Sequence, residues 1–428
     1  MTNQTPDPHQ PPRPEPAPQP AATMSQPQAG AQQWAWARPA TEPQWVETPP
    51  LEYHQLMRGA PRYRWWKPLL ALVLGIIYYL TLSVAFGLLV IFPYLMFSGA
   101  DLLDSDAIMD LAIPDTQNPT SMVMTLGSVA LMLPAALLAM LSVGLTPAKR
   151  LWSVALRIRW RWIWRTVLPA LAALVIMNVI GITLSLAVGG EAAEELTPVA
   201  DLNVTAALWS VAITLVLVPI QATAEELVYR GMFMQTLGAW FGGVRGATAF
   251  AAFMRGPWLP IAIPALAFGF SHIYDIWGWI AVVVLALVAG WLSVRTGGLE
   301  AAISLHVVNN LIALGFLASG IGGETAQTSD GGGPASAIMA VVGFGLYAWW
   351  VDRDFRRNDG VHTRIDLVEG PPLPVQPVYA TATVEAAPAA GAAHVPAETE
   401  APEAEAAHEP TDPTTGPEPD EPGRPGDA

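Results

Sequence analysis

Apolar positions along this chain gather into eight runs separated by polar turns. The runs cover about Pro68 to Phe97, Ser121 to Leu145, Val167 to Val188, Val204 to Ala224, a fifth segment ending near His272, Trp277 to Val294, Leu299 to Leu317 and Ala335 to Trp350. A helix needs about 20 apolar residues to cross hydrocarbon, so the pattern predicts eight transmembrane helices. The fifth segment contains Pro257, Pro260 and Pro264. Three prolines in eight residues break regular helix and predict a bent or re-entrant entry.

Charge then orients the runs. Arg58, Arg62, Arg64 and Lys67 precede the first run, Lys149 to Arg165 carries six cations between the second and third, and Arg353, Arg356 and Arg357 follow the eighth. The intervening loops are acidic and free of Lys and Arg, with Asp101 to Asp115 after the first run and Glu191 to Asp201 after the third. Lys and Arg mark cytoplasmic loops, so both termini are expected in the cytoplasm. Arg157, Arg159, Arg161 and Arg165 alternate with Trp152, Trp160, Trp162 and Trp164. Such a stretch can bind nucleic acid or anionic lipid, but Arg at the headgroups with Trp in the aromatic belt is the reading adopted, with no nucleic-acid partner.

Composition agrees with a polytopic membrane protein. Of 428 residues 52% are hydrophobic, and mean hydropathy is +0.36. Cysteine is absent, which excludes disulfides, thiolate nucleophiles and Cys-based zinc sites. Net charge is −15, but two Arg against thirteen Asp and Glu beyond Val361 place most of it in a C-terminal tail. Residues 1–60, rich in Pro, Gln and Ala, and residues 359–428, rich in Ala, Pro and Glu, are expected to be disordered. The expected organisation is thus a disordered 1–60, a membrane domain over 61–358 with its polar core at about 200–320, and a disordered 359–428. Trp34, Trp36 and Trp45 read as scattered aromatics in the flexible arm.

Ionisable groups within hydrocarbon are costly and are therefore functional candidates. Glu225, Glu226 and Arg230 end the fourth run. Of seven histidines, five (His9, His54, His362, His394, His408) lie in the expected tails, which leaves His272 and His306 in the membrane region, with Asn309 and Asn310 close to the latter. Glu226 and Arg230 are i and i+4 and can pair on one helical face. Glu225 is turned about 100° away, with Tyr229 at i+4, and is the carboxylate left free for chemistry. Phe268 and His272 also share a face, as do His306 and Asn310. One carboxylate, two imidazoles and an amide supply a base for water, an acid for a leaving amine and donors for an oxyanion. The same Glu and His set can also ligate zinc. A helix-packing ion pair or a proton relay of a transporter uses the same residue types.

EELVYRG (Glu225 to Gly231), FGFSH (Phe268 to His272) and HVVNN (His306 to Asn310) resemble, in order, the three motifs of the CAAX-protease and bacteriocin-processing (CPBP, or Abi) intramembrane endopeptidases. The resemblance covers about Ala200 to Gly320. It implies an eight-helix hydrolase cutting peptide bonds of membrane-associated, prenyl-like or peptide substrates. It further implies that Glu225 is the catalytic glutamate, that His272 helps activate water, that His306 and Asn310 stabilise the oxyanion, and that Glu226 and Arg230 support them. Water activation by glutamate and histidine alone remains open beside activation with one divalent metal such as zinc, whose candidate ligands are Glu225, His272 and His306. Expected partners are membrane lipids and a peptide or protein substrate within the membrane. The expected location is a bacterial inner or plasma membrane, with the catalytic cavity opening toward the cytoplasm. Family members that act as immunity proteins or scaffolds supply a non-catalytic alternative, and a proton-coupled transporter is a third, which the lack of paired broken helices disfavours. One tension follows from the linear topology. His272 falls near the external end of its segment, and Glu225 and His306 nearer the cytoplasmic ends. They share one depth only if the fifth segment bends or the Glu-Glu helix continues well past Ala224.

Overall fold

The computed structural model describes residues 44–99, 105–188, 199–330, 333–358 and 360–371. Its long helices are α1 (Lys67–Ser98), α2 (Pro119–Ser142), α3 (Trp160–Val188), α4 (Val204–Phe241), the pair α5 (Ala249–Arg255) and α6 (Trp258–Phe270), α7 (Ile276–Thr296), α8 (Glu300–Ser319) and α9 (Gly333–Arg357). Seven are long and apolar enough to cross a membrane, and α5 with α6 makes an eighth if the pair is one span bent by 50°. The chain is thus a mostly helical polytopic membrane protein, as the hydrophobic runs predict, with two short strand pairs added to the expected all-α architecture. The bend falls at Gly256 and Pro257, within the proline-rich entry.

Local signals set the helix ends. Asn118, Asn203 and Asp275 cap α2, α4 and α7 by accepting main-chain N–H groups of the first turn. Helices α7 and α8 stop at Gly297 and Gly320, whose φ values of 71° and 65° suit glycine. Apolar side chains point outward along the long helices. Leu88, Leu89, Leu168, Leu208 and Leu215 are each at least 60% exposed, which in water would be an aggregation surface and in a bilayer is the lipid-facing wall. Helix α4 packs between α2 and α8, α8 packs on α3, and α7 lies between α6 and α9. This places α4 and α8 at the centre, with α6, which carries the remaining motif, packed against the later turns of α4 and against α7.

The expected tail boundaries at 60 and 359 need correction. Residues 45–60 and 360–371 form a small folded collar at one end of the bundle. Strand β1 (Trp45–Glu47) pairs antiparallel with β4 (Leu367–Glu369), and β2 (Leu51–Glu52) with β3 (Thr363–Arg364). A single 3₁₀ segment, Tyr53–Gly59, then buries Tyr53, Leu56 and Met57 completely. Arg150 forms a bidentate pair with Asp366 at 2.6 and 3.2 Å, and Arg364 donates to the same carboxylate at 2.7 Å. Tyr53 donates its hydroxyl to the Leu151 carbonyl. Trp45 therefore belongs to a strand and His54 is buried, not free in a flexible arm. The physical reason is that Leu51, Tyr53, Leu56 and Met57 give one short stretch of the Pro-rich arm enough apolar surface to order it, which average composition hides. Residues 1–43, with His9, Trp34 and Trp36, and 372–428, with His394 and His408, lie outside the described residues.

Candidate functional site

Helix α4 is 38 residues long. At 1.5 Å per residue that is about 57 Å, well beyond a hydrocarbon core. It does not end near Ala224. Its last turns, from Met234 to Ala239, are buried, and Gly238 lies against the backbone of His54 so closely that any Cβ would collide with it. Glu225 and Glu226 are consequently inside the bundle and not at its edge. This extension and the bent fifth span together resolve the depth conflict.

Directly after Glu226 the helix widens into a π turn over Leu227–Phe233. Such turns re-aim side chains and recur at functional sites. Here the turn carries Arg230 inward. Glu226 is fully buried and accepts from Arg230 Nη1 at 2.9 Å and from His306 Nδ1 at 2.8 Å. The i to i+4 ion pair expected from spacing is present, with the imidazole as a further partner. Glu226 Oε2 and Arg230 Nη2 are buried without a hydrogen-bond partner among the described residues.

Glu225 faces the other way and is 7% exposed. It is not bare. Gln221, one turn earlier, donates Nε2 to Glu225 Oε2, and His306 Nε2 stands 3.5 Å from the same oxygen. Gln221 Oε1 in turn accepts from Asn310 Nδ2 at 3.3 Å, and Asn309 donates to Asn310 Oδ1 at 3.2 Å. A line of carboxamides therefore runs from α8 to the carboxylate. His306 sits between the two glutamates, with Nδ1 spent on Glu226 and Nε2 turned toward Glu225. His272 directs Nδ1 to the Phe268 carbonyl at 2.8 Å, which leaves Nε2 unengaged in the tautomer that donates from Nδ1. The Phe268 ring is the shared wall. Arg230 lies over it at 4.5 Å, and Tyr229, His272 and His306 pack against it with centroids 5.0, 4.7 and 5.5 Å away.

Glu225, Gln221, His272 and Asn310 line one cavity of about 380 Å³, together with Ser271 and Tyr274. Its outer walls come from Leu317 in the last turn of α8 and from Pro114 and Gln327 in the loops that follow α1 and α8. Gln327 and Pro114 are joined by a main-chain hydrogen bond of 2.9 Å, and Asp115 bridges to Ala326. The cavity thus opens at the end of the bundle opposite the collar. That differs from the expected opening at the basic end. The reason is packing: the buried end of α4 and the collar fill the space beneath Arg230, while α8 beyond Asn310 leaves space open.

The structure brings together all the expected residues, Glu225, Glu226, Arg230, His272, His306 and Asn310. Gln221 is the member that sequence reasoning missed. It stands at i−4 from Glu225, the same spacing that paired Glu226 with Arg230, so the signal was present. A zinc site needs three or four N, O or S donors converging at about 2.0–2.3 Å. Among the described residues no three His, Asp or Glu side chains converge in that way. His272 Nδ1 and His306 Nδ1 hold protein acceptors, which leaves the Nε2 of each ring as the nitrogen able to ligate beside Glu225.

The comparisons with known proteins fall on the same stretch. Residues 206–312 match the family of type II CAAX prenyl endopeptidase Rce1-like proteins, which bears out the resemblance carried by the three motifs. The match runs from the start of α4 into α8 and contains every residue of the polar centre. The chain is also similar to "Uncharacterized protein YyaK" of Bacillus subtilis (strain 168), at 27% identity over 124 residues. That similarity spans 27% of this chain and 37% of the relative's length. No solved structure matches.

Proposed function

We propose that this protein is an intramembrane endopeptidase in which Glu225 activates water for peptide-bond hydrolysis. The observation that carries the reading is the division of labour between adjacent carboxylates. Glu226 is consumed by Arg230 and His306, while Glu225 faces a polar cavity that also contains His272 and Asn310. The match to CAAX prenyl endopeptidase Rce1-like proteins over 206–312 supports a hydrolase of that type.

In the proposed chemistry Glu225 takes a proton from water, and His272 Nε2 holds that water. The hydroxide adds to the scissile carbonyl carbon. Asn310 Nδ2 and His306 receive the oxyanion, and preorganised donors of this kind commonly contribute about 10²–10³-fold in rate. The proton then passes to the leaving nitrogen, the C–N bond breaks, and an acid and an amine are released. Membrane lipids surround the site and the substrate is a peptide or protein segment at the membrane. The bacterial relative and the charge pattern support placement in a bacterial inner or plasma membrane with the basic collar, and so both chain ends, on the cytoplasmic side.

The test is comparative proteomics of membranes from cells carrying the wild type or Glu225→Gln. The proposal expects new protein termini that vanish in the variant, with the uncut precursors accumulating. Identical termini in both strains, at equal protein levels, would sink it.

A further inference from the structure

We infer that a cavity at the basic end of the bundle binds the phosphate headgroup of an anionic phospholipid. The site lies apart from the polar centre and does not depend on the chemistry at Glu225.

The cavity, of about 510 Å³, is walled by the start of α3, the end of α9 and the stretch that leads into β3. Arg159, Arg161 and Arg165 line it together with Trp162, Phe355 and Asn358, and no Asp or Glu is among its lining residues. The three guanidinium groups differ in what holds them. Arg159 is spent inside the fold: it donates to both oxygens of Glu300 at 2.9 and 2.7 Å and to the Thr296 carbonyl at 2.9 Å. Arg165 donates from one nitrogen to Asp354 at 3.1 Å, and the same oxygen accepts from Asn358 at 3.1 Å. Arg161 is exposed and has no side-chain hydrogen bond or ion pair among the described residues. It stands in the first turn of α3, where main-chain N–H groups without helical acceptors add partial positive charge. Trp162 in the same wall has its Nε1–H buried without an acceptor among the described residues. Free donors of this kind suit a phosphate, whose oxygens take guanidinium groups in pairs.

Position selects a lipid among phosphates. Helices α3 and α9 enter the bilayer at this level, where the rings of Trp160, Trp164 and Trp349 are 61, 69 and 57% exposed. Further along the two helices the outward side chains are apolar, with Leu168 and Val342 exposed. Inside the cavity Val154, Phe355 and Val361 supply an apolar wall beside the cations. A headgroup with its glycerol and first acyl carbons covers both parts, whereas free phosphate leaves the apolar wall bare. Basic pockets between membrane helices on the cytoplasmic side bind anionic headgroups, and the charge pattern puts this end there. Occupancy also ties down the collar. Phe355 packs edge-on against Trp162 at 5.6 Å, and Asn358, Gly360 and Val361 precede β3. A headgroup held between Arg161 and Asn358 therefore joins α3 to the stretch that leads into the collar.

The test is native mass spectrometry of the full chain released from nanodiscs of phosphatidylglycerol and phosphatidylcholine in equal parts. The inference expects one retained phosphatidylglycerol per protein. Arg161→Gln should reduce retention about tenfold, and Arg161→Gln with Arg165→Gln should reduce it further. Arg157 is exposed on the same segment but does not line the cavity, so Arg157→Gln should retain lipid as the wild type does. Thermal midpoints in phosphatidylcholine alone check that the variants are folded. Retention unchanged in the double variant, or reduced equally by Arg157→Gln, overturns the site and leaves only diffuse surface charge. The second readout is local. Trypsin should cut after Arg356 or Arg357 more slowly in phosphatidylglycerol than in phosphatidylcholine, and the double variant should be cut alike in both. Wild type cut at one rate in both lipids overturns the link to the collar. Excess inorganic phosphate that displaces the retained lipid, and slows the same cut in phosphatidylcholine alone, overturns the lipid assignment in favour of free phosphate.

Discussion

At the scale of residues, adjacent glutamates have opposite duties. Glu226 sits in a buried cluster whose charges offset each other, so removing it leaves the Arg230 guanidinium uncompensated. Breaking a buried pair costs about 3–5 kcal/mol, so Glu226→Ala should lower the thermal midpoint in detergent, and Glu226→Ala with Arg230→Met should recover much of the loss. An unchanged midpoint in the single variant would contradict the pairing. Gln221 is expected to hold Glu225 in place. A misplaced catalytic group can cost about 100-fold, so Gln221→Leu should lower kcat by that order with KM and thermal midpoint little changed. A rise in KM alone would assign Gln221 to substrate binding instead. The division between Glu225 and Glu226 was legible from helical spacing alone. Gln221 was within reach of the same rule applied toward the N-terminus. The contacts of Phe268 with Arg230 and His306 were not legible, because they depend on how α4, α6 and α8 cross and not on spacing within one helix.

At the scale of elements, the collar is where sequence reasoning and structure part. Proline, glutamine and alanine dominate residues 1–60 and mask the four apolar side chains that order the end of this arm. The partner strands lie more than 300 residues away, so no local pattern announces the pairing. Two features of the collar can be tested. Gly238→Ala should push the backbone of His54 off α4 and speed proteolysis at Arg58 or Arg62, and unchanged proteolysis would contradict the packing. Acid should loosen the same contact. Burial holds the imidazole of His54 below its ordinary value, against the opposing pull of Glu52 and the Arg255 carbonyl. The undocked arm, with a pKa of about 6.5, then takes up a proton that the docked arm does not. Docking is at full strength above that pH and weakens as pH falls through it. Asp366 is also shifted: burial raises its pKa, but hydrogen bonds and charge from Arg150 and Arg364 outweigh burial and hold it below the usual range, so its contribution is lost only in stronger acid. Proteolysis of the arm, normalised to a denatured control, should therefore quicken between about pH 7.5 and pH 5.5, and His54→Phe should remove that dependence. A dependence that survives His54→Phe would assign it to another group.

At the scale of the whole molecule, the eight apolar runs and their flanking charges mark out the spans closely, because hydrocarbon imposes its constraint residue by residue. Even the bend between α5 and α6 is written in its prolines. The opening of the cavity is not written in this way. It depends on α4 continuing 15 residues beyond Glu226 and on a collar built from both flanks of the membrane domain. The architecture has a consistent logic: a plug of buried helix and collar at the basic end, a paired Glu226 and Arg230 above it, and Glu225, held by Gln221 and His306, facing an open cavity.

The most direct measurement follows the oxygen of water. Purified protein in liposomes is given a substrate identified from accumulated precursors, in water enriched in the heavy isotope of oxygen, and the new C-terminus is read by mass spectrometry. Wild type should place one heavy oxygen in the new carboxyl group in a single turnover, and Glu225→Gln, equally folded, should release no product. Cleavage by Glu225→Gln at the wild-type rate would contradict the assignment of Glu225 as the base.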